Sequence, residues 1–393
     1  MDYPADLSFL HVSPTRIVFG AGSVGDLIAE LRGIGGSRAL VVTDKFLAER
    51  TDIVSGIKKA LGDACAGVFS DVPADSGVHA VNAGAQFGKG VGADCIVSIG
   101  GGSVIDTAKG IAILLREGGS LLDYQGFQVL TRDQTPHIAI PTTAGTGSEL
   151  TYVAVIKDHD ANRKLLFGDH HIIPNVTILD PNLTVGLPPL LTAATGLDAF
   201  SHGLEALTSA QREPISDALG LHAIRLIRRF LPLAVKNGKD IVARGQMLVA
   251  AAMAGAAFSN AQVGLLHAIA HVVGARHGVH HGTANAIAMP HVMRFNNSAV
   301  ADRHRMVAEA MGVETKGMTD EAAGLKAAEA VSAFTREVVL PQSFREVGVP
   351  EADLAACAEM AMYDGSIVYN GREITDPTDV LGVLKAAWSG SPR

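Results

Sequence analysis

The chain changes its repeat part-way along. Up to about Leu187, short β-branched runs alternate with helical stretches, and beyond that point the strand pattern disappears. RALVVTD (38–44), DCIVSIGGG (94–102) and HIAIPTT (137–143) each read as a buried strand ending in a turn or loop, with helical patterns such as VHAVNAGAQFGKG between them. Strand, helix, strand alternation needs crossover connections, so it predicts a parallel sheet with helices on its faces. The later segments PPLLTAATGLDAFSHGLEALTS, SDALGLHAIRLIRRFLPLAV, MLVAAAMAGAAF, LLHAIAHVVGA and DEAAGLKAAEAVSAFTREV are rich in Ala and Leu at helical spacing. Pro181, Gly186, Pro188 and Pro189 punctuate the change. The expectation is an α/β nucleotide-binding domain over residues 1–186 and an all-helical domain over 187–393.

A chain of 393 residues with 48% hydrophobic and 18% charged residues is long enough for two packed cores and too apolar for disorder. Its net charge of −8, without a basic block, excludes the clustered positive surface that nucleic-acid binding requires. MDYPADLSF lacks the basic start and apolar run of a secretory signal, and the run from Met247 to Phe258 is too short to span a bilayer. Cys65, Cys95 and Cys357 have no paired spacing, which supports neither a disulfide framework nor a Cys-rich zinc site. A cytoplasmic protein without a membrane partner is expected.

Two glycine-rich loops compete for a dinucleotide. FGAGSVGDL carries a formal G-x-G-x-x-G at Gly20, Gly22 and Gly25, but its strand is short and follows Ser13 and Pro14, so it reads as a tight turn at a sheet edge. SIGGGSVIDTAKG is the stronger phosphate site. Gly100, Gly101 and Gly102 follow an apolar strand and lead into a helix, exposing backbone N–H groups at a positive helix end, and Ser103 adds a hydroxyl. PTTAGTGSE (141–149) supplies a second loop of small hydroxyl residues after the next strand, where an open α/β sheet binds ligands.

The helical half concentrates metal-ligand chemistry. Asp198 and His202 are four apart in a helical segment and project from one face. His267, His271, His277, His280, His281 and His291 fall in one short stretch that is otherwise mostly apolar or glycine. Buried imidazoles and carboxylates need a shared partner, and a divalent metal is the simplest one. A set such as Asp198, His202, His267 and His281, one carboxylate and three imidazoles, suits Fe(II) or Zn(II), whereas an oxygen-only shell suits magnesium or calcium. Spacing leaves open which histidines of the run are ligands.

GGGSVIDTAKG, PTTAGTGSE, DPNLT, TGLDAFSHGLEA and HAIAHVVGARHGVHHGTANAIAMPHVMRFN resemble, in order and spacing, the signatures of the iron-containing (group III) alcohol dehydrogenases. The resemblance implies an α/β nucleotide-binding domain, a helical metal domain and a cleft between them, the dehydroquinate synthase-like fold. It assigns the metal to Asp198, His202, His267 and His281, and makes His271 a neighbour of the substrate. Gly100, Gly101, Gly102 and Ser103 match the pyrophosphate loop, and Thr142, Thr143 and Thr146 a loop touching phosphate and nicotinamide. Asp44 matches a position beside the adenosine ribose, where a carboxylate favours NAD over NADP. Phe258 matches a wall of the substrate pocket.

Two departures bear on the substrate: Ser366 and Gly371 stand where the family often has cysteine and proline, and Ala74–Ser76 replaces a usual Asn-Pro-Thr. The activity implied is reversible hydride transfer between an alcohol and NAD, with His271 relaying the proton. A maleylacetate reductase, a hydroxyacid–oxoacid transhydrogenase and a dehydroquinate synthase-like lyase are the alternatives, each calling for cations near the substrate. A homodimer, or a higher even oligomer built from one, paired through the edge segment HVSPTRIVFG is also expected.

Overall fold

The computed structural model describes Tyr3, residues 5–159 and residues 163–390. Two compact units emerge. One comprises Ser13–Leu187 with Lys239–Leu248; the other comprises Pro188–Gly238 and Val249 onward, together with the residues up to Val12. The division at Leu187 is therefore discontinuous in sequence.

The first unit is built on strands β1 (Arg16–Phe19), β2 (Ala39–Val42), β3 (Cys65–Phe69), β4 (Cys95–Gly100), β6 (His137–Pro141) and β9 (Val176–Leu179), with β5 (Gly126–Phe127), β7 (Val153–Asp158) and β8 (Arg163–Gly168) in a second sheet. The main sheet runs β1-β9-β6-β4-β2-β3, and every pair in it is parallel. Period-two alternation divides its side chains between two cores. Ala39, Val41, Val97, Ile99, Ile138 and Ile178 face helices α1 (Leu27–Gly33), α2 (Lys45–Arg50) and α3 (Ile53–Leu61). Leu40, Val42 and Ile96 face α4 (Val78–Gly90) and α5 (Gly102–Arg116), with β7 and β8 closing that side. A parallel sheet covered on both faces follows from crossover helices. The sequence reading passed over the three-stranded β5-β8-β7 sheet.

The second unit is helical: α6 (Pro189–Thr208), α7 (Pro214–Lys236), α8 (Ile241–Ala261, from Val249), α9 (Leu265–His277), α10 (His281–Ala310), α11 (Asp320–Glu337), α12 (Leu354–Ala361) and α13 (Pro377–Ser389). Helix α6 is buried at every position from Thr192 to Thr208, which its apolar circumference requires. It packs against α7 and α10, and α10 in turn against α9 and α11. Helix α8 begins at Ile241, ahead of the apolar run at Met247, so it has the length and composition to cross a membrane. Yet 67% of that stretch is buried inside the protein, as in a core helix.

Candidate metal centre and cofactor loops

Asp198 and His202 lie on α6 one turn apart, His267 sits in the first turn of α9, and His281 is the first residue of α10. Donor atoms of Asp198, His267 and His281 all lie within 4.8 Å of one another. Burial alone would push the Asp198 carboxyl up, but His202, His281, His267 and an Asn285 hydrogen bond together hold it down at about 2. His202 is not part of that mutually close triplet; its ring stacks on His267 at 4.7 Å and on Phe258 at 4.2 Å. Phe258, half-buried on α8, thus walls the His202 side of the cluster.

Asn285, one turn beyond His281, is fully buried amid the cluster. Its Nδ2 lies 2.9 Å from Asp198 Oδ1 and 3.4 and 3.3 Å from Nε2 of His267 and His281, while its Oδ1 has no hydrogen-bond partner among the described residues. Gly282 settles the approach of α10: a Cβ there would run into the Ala194 carbonyl and meet the Asp198 Cβ at 3.2 Å. A carboxylate held charged, with the His267 and His281 imidazoles close about it and His202 stacked beside them, fits a divalent first-row cation.

His271, one turn after His267, directs Nδ1 to Asp364 Oδ2 at 2.8 Å and stacks on His281 at 5.3 Å. Its side chain keeps 22% exposure, so it joins the cluster to solvent. Burial works against the Asp364 charge, but His271 and Ser366 outweigh it and hold the carboxyl well below its usual range. The remaining histidines of the run lie elsewhere: His277 faces Asp353 and Cys357, His280 occupies the α10 N-cap, and His291 is buried farther along α10. Arg276 pairs with Asp353, Arg372 bonds the Phe295 carbonyl and approaches Asp379, and Arg163 faces Asp158.

The sequence reading missed Glu205, Asn285 and Asp364. Glu205 and Asn285 had a local signal, a polar residue one turn from a proposed ligand in an apolar helix. Asp364 had none.

In the α/β unit, Asp44, Gly100–Ser103 and Thr142–Thr146 follow β2, β4 and β6, three adjacent strands, at their carboxyl ends. The α5 N-cap, Gly101, makes no side-chain capping bond, leaving that helix start open for an anion. A Cβ at Gly102 would meet Thr146 Cγ2 at 2.7 Å, so only glycine lets the two loops close. Asp44 caps α2, Oδ1 accepting the Leu47 N–H at 2.9 Å. The formal G-x-G-x-x-G instead forms a turn and a short 3-10 segment, Ser23–Asp26, after the edge strand β1.

Behind the loops, Lys109 is fully buried and donates to Ser148 Oγ (3.0 Å), Thr151 O (2.9 Å), Thr151 Oγ1 (3.1 Å) and Val153 O (2.8 Å). Ser148 in turn donates to Asp106 Oδ1 at 2.5 Å. This network pins the end of the Thr142–Thr146 loop to α5.

Family models match both units: iron-containing alcohol dehydrogenase over residues 14–181, and the C-terminal part of the Fe-containing alcohol dehydrogenase family over 192–388. The chain belongs to the iron-containing alcohol dehydrogenase family. It is 39% identical to the NAD-dependent methanol dehydrogenase of Bacillus methanolicus, over 95% of this chain and 98% of that protein. It is 38% identical to the lactaldehyde reductase of Escherichia coli (strain K12), over 94% and 97% respectively. The crystal structure of a 1,3-propanediol oxidoreductase superposes with a TM-score of 0.94 at 35% identity, covering 97% of this chain and all 100% of that one. Like these family members, the chain is an oxidoreductase acting on CH–OH groups, and a divalent metal belongs to its helical unit.

Proposed function

We propose that the protein interconverts a small, uncharged alcohol and its aldehyde or ketone, with NAD as hydride carrier and iron as its metal. The observation that carries this reading is the close Asp198–His267–His281 cluster with Phe258 and His202 on one side and the Asp364-held His271 on another. Asp198, His202, His267 and His281 hold the metal. When bound, the metal supplies Lewis acidity toward a hydroxyl or carbonyl oxygen, and NAD supplies the hydride acceptor. His271, its Nδ1 engaged by Asp364, offers Nε2 to the alcohol proton and passes it toward solvent.

Phe258 gives the pocket an apolar wall, and Arg276, Arg372 and Arg163 are engaged with other groups, which favours an uncharged substrate over a carboxylated one. The names of the methanol, lactaldehyde and 1,3-propanediol relatives support a short chain. Gly100–Ser103 and the Thr142, Thr143 and Thr146 loop receive the pyrophosphate and nicotinamide side of NAD, and Asp44 the adenosine ribose. Three unpaired cysteines are consistent with a cytoplasmic setting. The exposed edge strand β1 supports a homodimer.

Incubating the purified protein with NAD or NADP and a panel of short alcohols and hydroxyacids, with bound metal quantified, tests the whole reading. Turnover of the uncharged alcohols with NAD and one iron per chain is expected. Exclusive use of carboxylated substrates or of NADP would overturn it.

A further inference from the structure

Helix α9, which carries His267, begins without a cap of its own. Its N-cap residue, Gly264, offers no side chain, so the first N–H groups of the helix need acceptors from elsewhere. Glu205, reaching across from α6, supplies them. Its Oε1 accepts the Leu266 N–H at 2.8 Å, and its Oε2 lies 3.4 Å from the His267 N–H. Asn370 Oδ1 faces the Leu265 N–H at 3.3 Å.

The same Glu205 Oε2 stands 2.6 Å from Nδ1 of the His267 ring. An ionised carboxylate only accepts, so Nδ1 carries the proton and the lone pair is left on Nε2, the atom that faces Asp198 and His281 across Asn285. Glu205 is 4% exposed, and among the described residues its one ion-pair partner is His267. A carboxylate this buried needs compensation. The helix start gives part of it, and an imidazole whose far nitrogen holds a cation gives the rest.

We propose that Glu205 is a positioning residue of the metal centre, a single carboxylate that caps α9 and fixes His267 in the tautomer that binds metal. This rests on the reading of His267 as a ligand. Glutamine in its place cannot do both tasks. With its oxygen toward Leu266, its amide donates to Nδ1 and drives the imidazole proton to Nε2; with its oxygen toward the ring, its amide meets the backbone donor.

The test measures Co(II) affinity of the full-length protein by chelator competition, together with the visible ligand-field bands of the bound ion. Parent, Glu205→Gln, His267→Ala and Asn370→Ala are compared. Glu205→Gln should bind Co(II) about 10- to 100-fold more weakly with altered bands. Asn370→Ala, which removes another acceptor at the α9 start without touching His267, should leave affinity and bands as in the parent.

Parent-like affinity and bands in Glu205→Gln would overturn the inference while leaving the ligand reading intact, provided His267→Ala loses the metal. An equal loss in Asn370→Ala would also overturn it, because capping alone would then explain the effect. Parent-like binding by His267→Ala would remove the ligand reading and the inference with it. Should Glu205→Gln fail to fold, hydrogen exchange of the parent decides: Co(II) should slow exchange at Leu266 and His267, and unchanged rates would overturn the coupling.

Discussion

His271 and Asp364 stand 93 residues apart in the chain and meet at 2.8 Å, Nδ1 against Oδ2. Holding one ring nitrogen leaves the other fixed in direction, which is what a proton acceptor beside a reacting hydroxyl requires. His271→Ala should lower kcat by about 10² to 10⁴ while metal content stays at the parent level. Small exogenous imidazoles should restore part of the rate. Loss of bound metal from this variant would make His271 a ligand and displace that assignment from its neighbours.

Glu149 gives the α/β unit a pH dependence of its own. It is buried beside Lys109, and burial, opposed by its own backbone hydrogen bond and by Lys109, pushes its carboxyl up to about 7. Burial likewise pushes the Lys109 ammonium down to about 8, against Asp106 and Glu149. Because the folded pKa of Glu149 lies above the ordinary 4.5, its contribution is complete below that value and is lost as pH rises toward about 7. Glu149→Gln should therefore gain on the parent by ~1–3 kcal/mol between about pH 5 and pH 8. Urea unfolding of the cofactor-free proteins at both pH values reads this directly, and a constant difference would refute it.

Asp44 has two tasks to separate. Its Oδ1 caps α2, while its place at the end of β2 is where a ribose 2′-OH would sit. Asp44→Gly keeps a tolerated cap residue, so stability should fall by only a few tenths of a kcal/mol. The same change should let NADP compete by removing the carboxylate that repels a 2′-phosphate. KM for both nucleotides measures it; a parent enzyme that already prefers NADP would show the assignment to be wrong.

Strand β1 pairs with β9 on one side only, and Ile17 and Phe19 are about half exposed, at 51% and 49%. Ile17→Lys with Phe19→Lys should convert a dimer to a monomer at micromolar concentration without weakening NAD binding, as read by light scattering and titration. Truncating the N-terminus is a poorer test. Tyr3, His11 and Val12 make hydrogen bonds of 2.6, 2.9 and 2.7 Å to Asp217, Glu213 and Asn260 of the helical unit, so a deletion also exposes buried polar groups. A parent protein that scatters as a monomer would end the proposal.

The strands β2, β4 and β6 were legible because each is a buried apolar run that ends in turn chemistry. Strands β5, β7 and β8 were not: β5 has two residues, and β8 opens on Arg163 and Lys164. Helix α10 was hidden by its histidines and by Pro290, which ordinarily ends a helix and here sits inside one. Proximity of His267 and His281 to Asp198 could be guessed from chemistry, since buried ionisable groups need one another. Their orienting partners were harder to read: Glu205 stands one turn from His202 in an apolar helix, which marks the residue, but its pairing with His267, like that of Asp364 with His271, spans a distance in sequence over which no periodicity carries information.

The bare Cα of Gly282 has a consequence for how such an enzyme tolerates change. Helix α10 rests there on the main chain of α6 beside Asp198, with no side chain between them that could be exchanged for a larger or smaller one. The 3.4 Å spacing of Asp198 Oδ1 and His281 Nε2 is thus inherited from two backbones in direct touch. At position 282 even a methyl group would press α10 away from α6 and part His281 from Asp198, so this point of the helix pair has almost no freedom to vary.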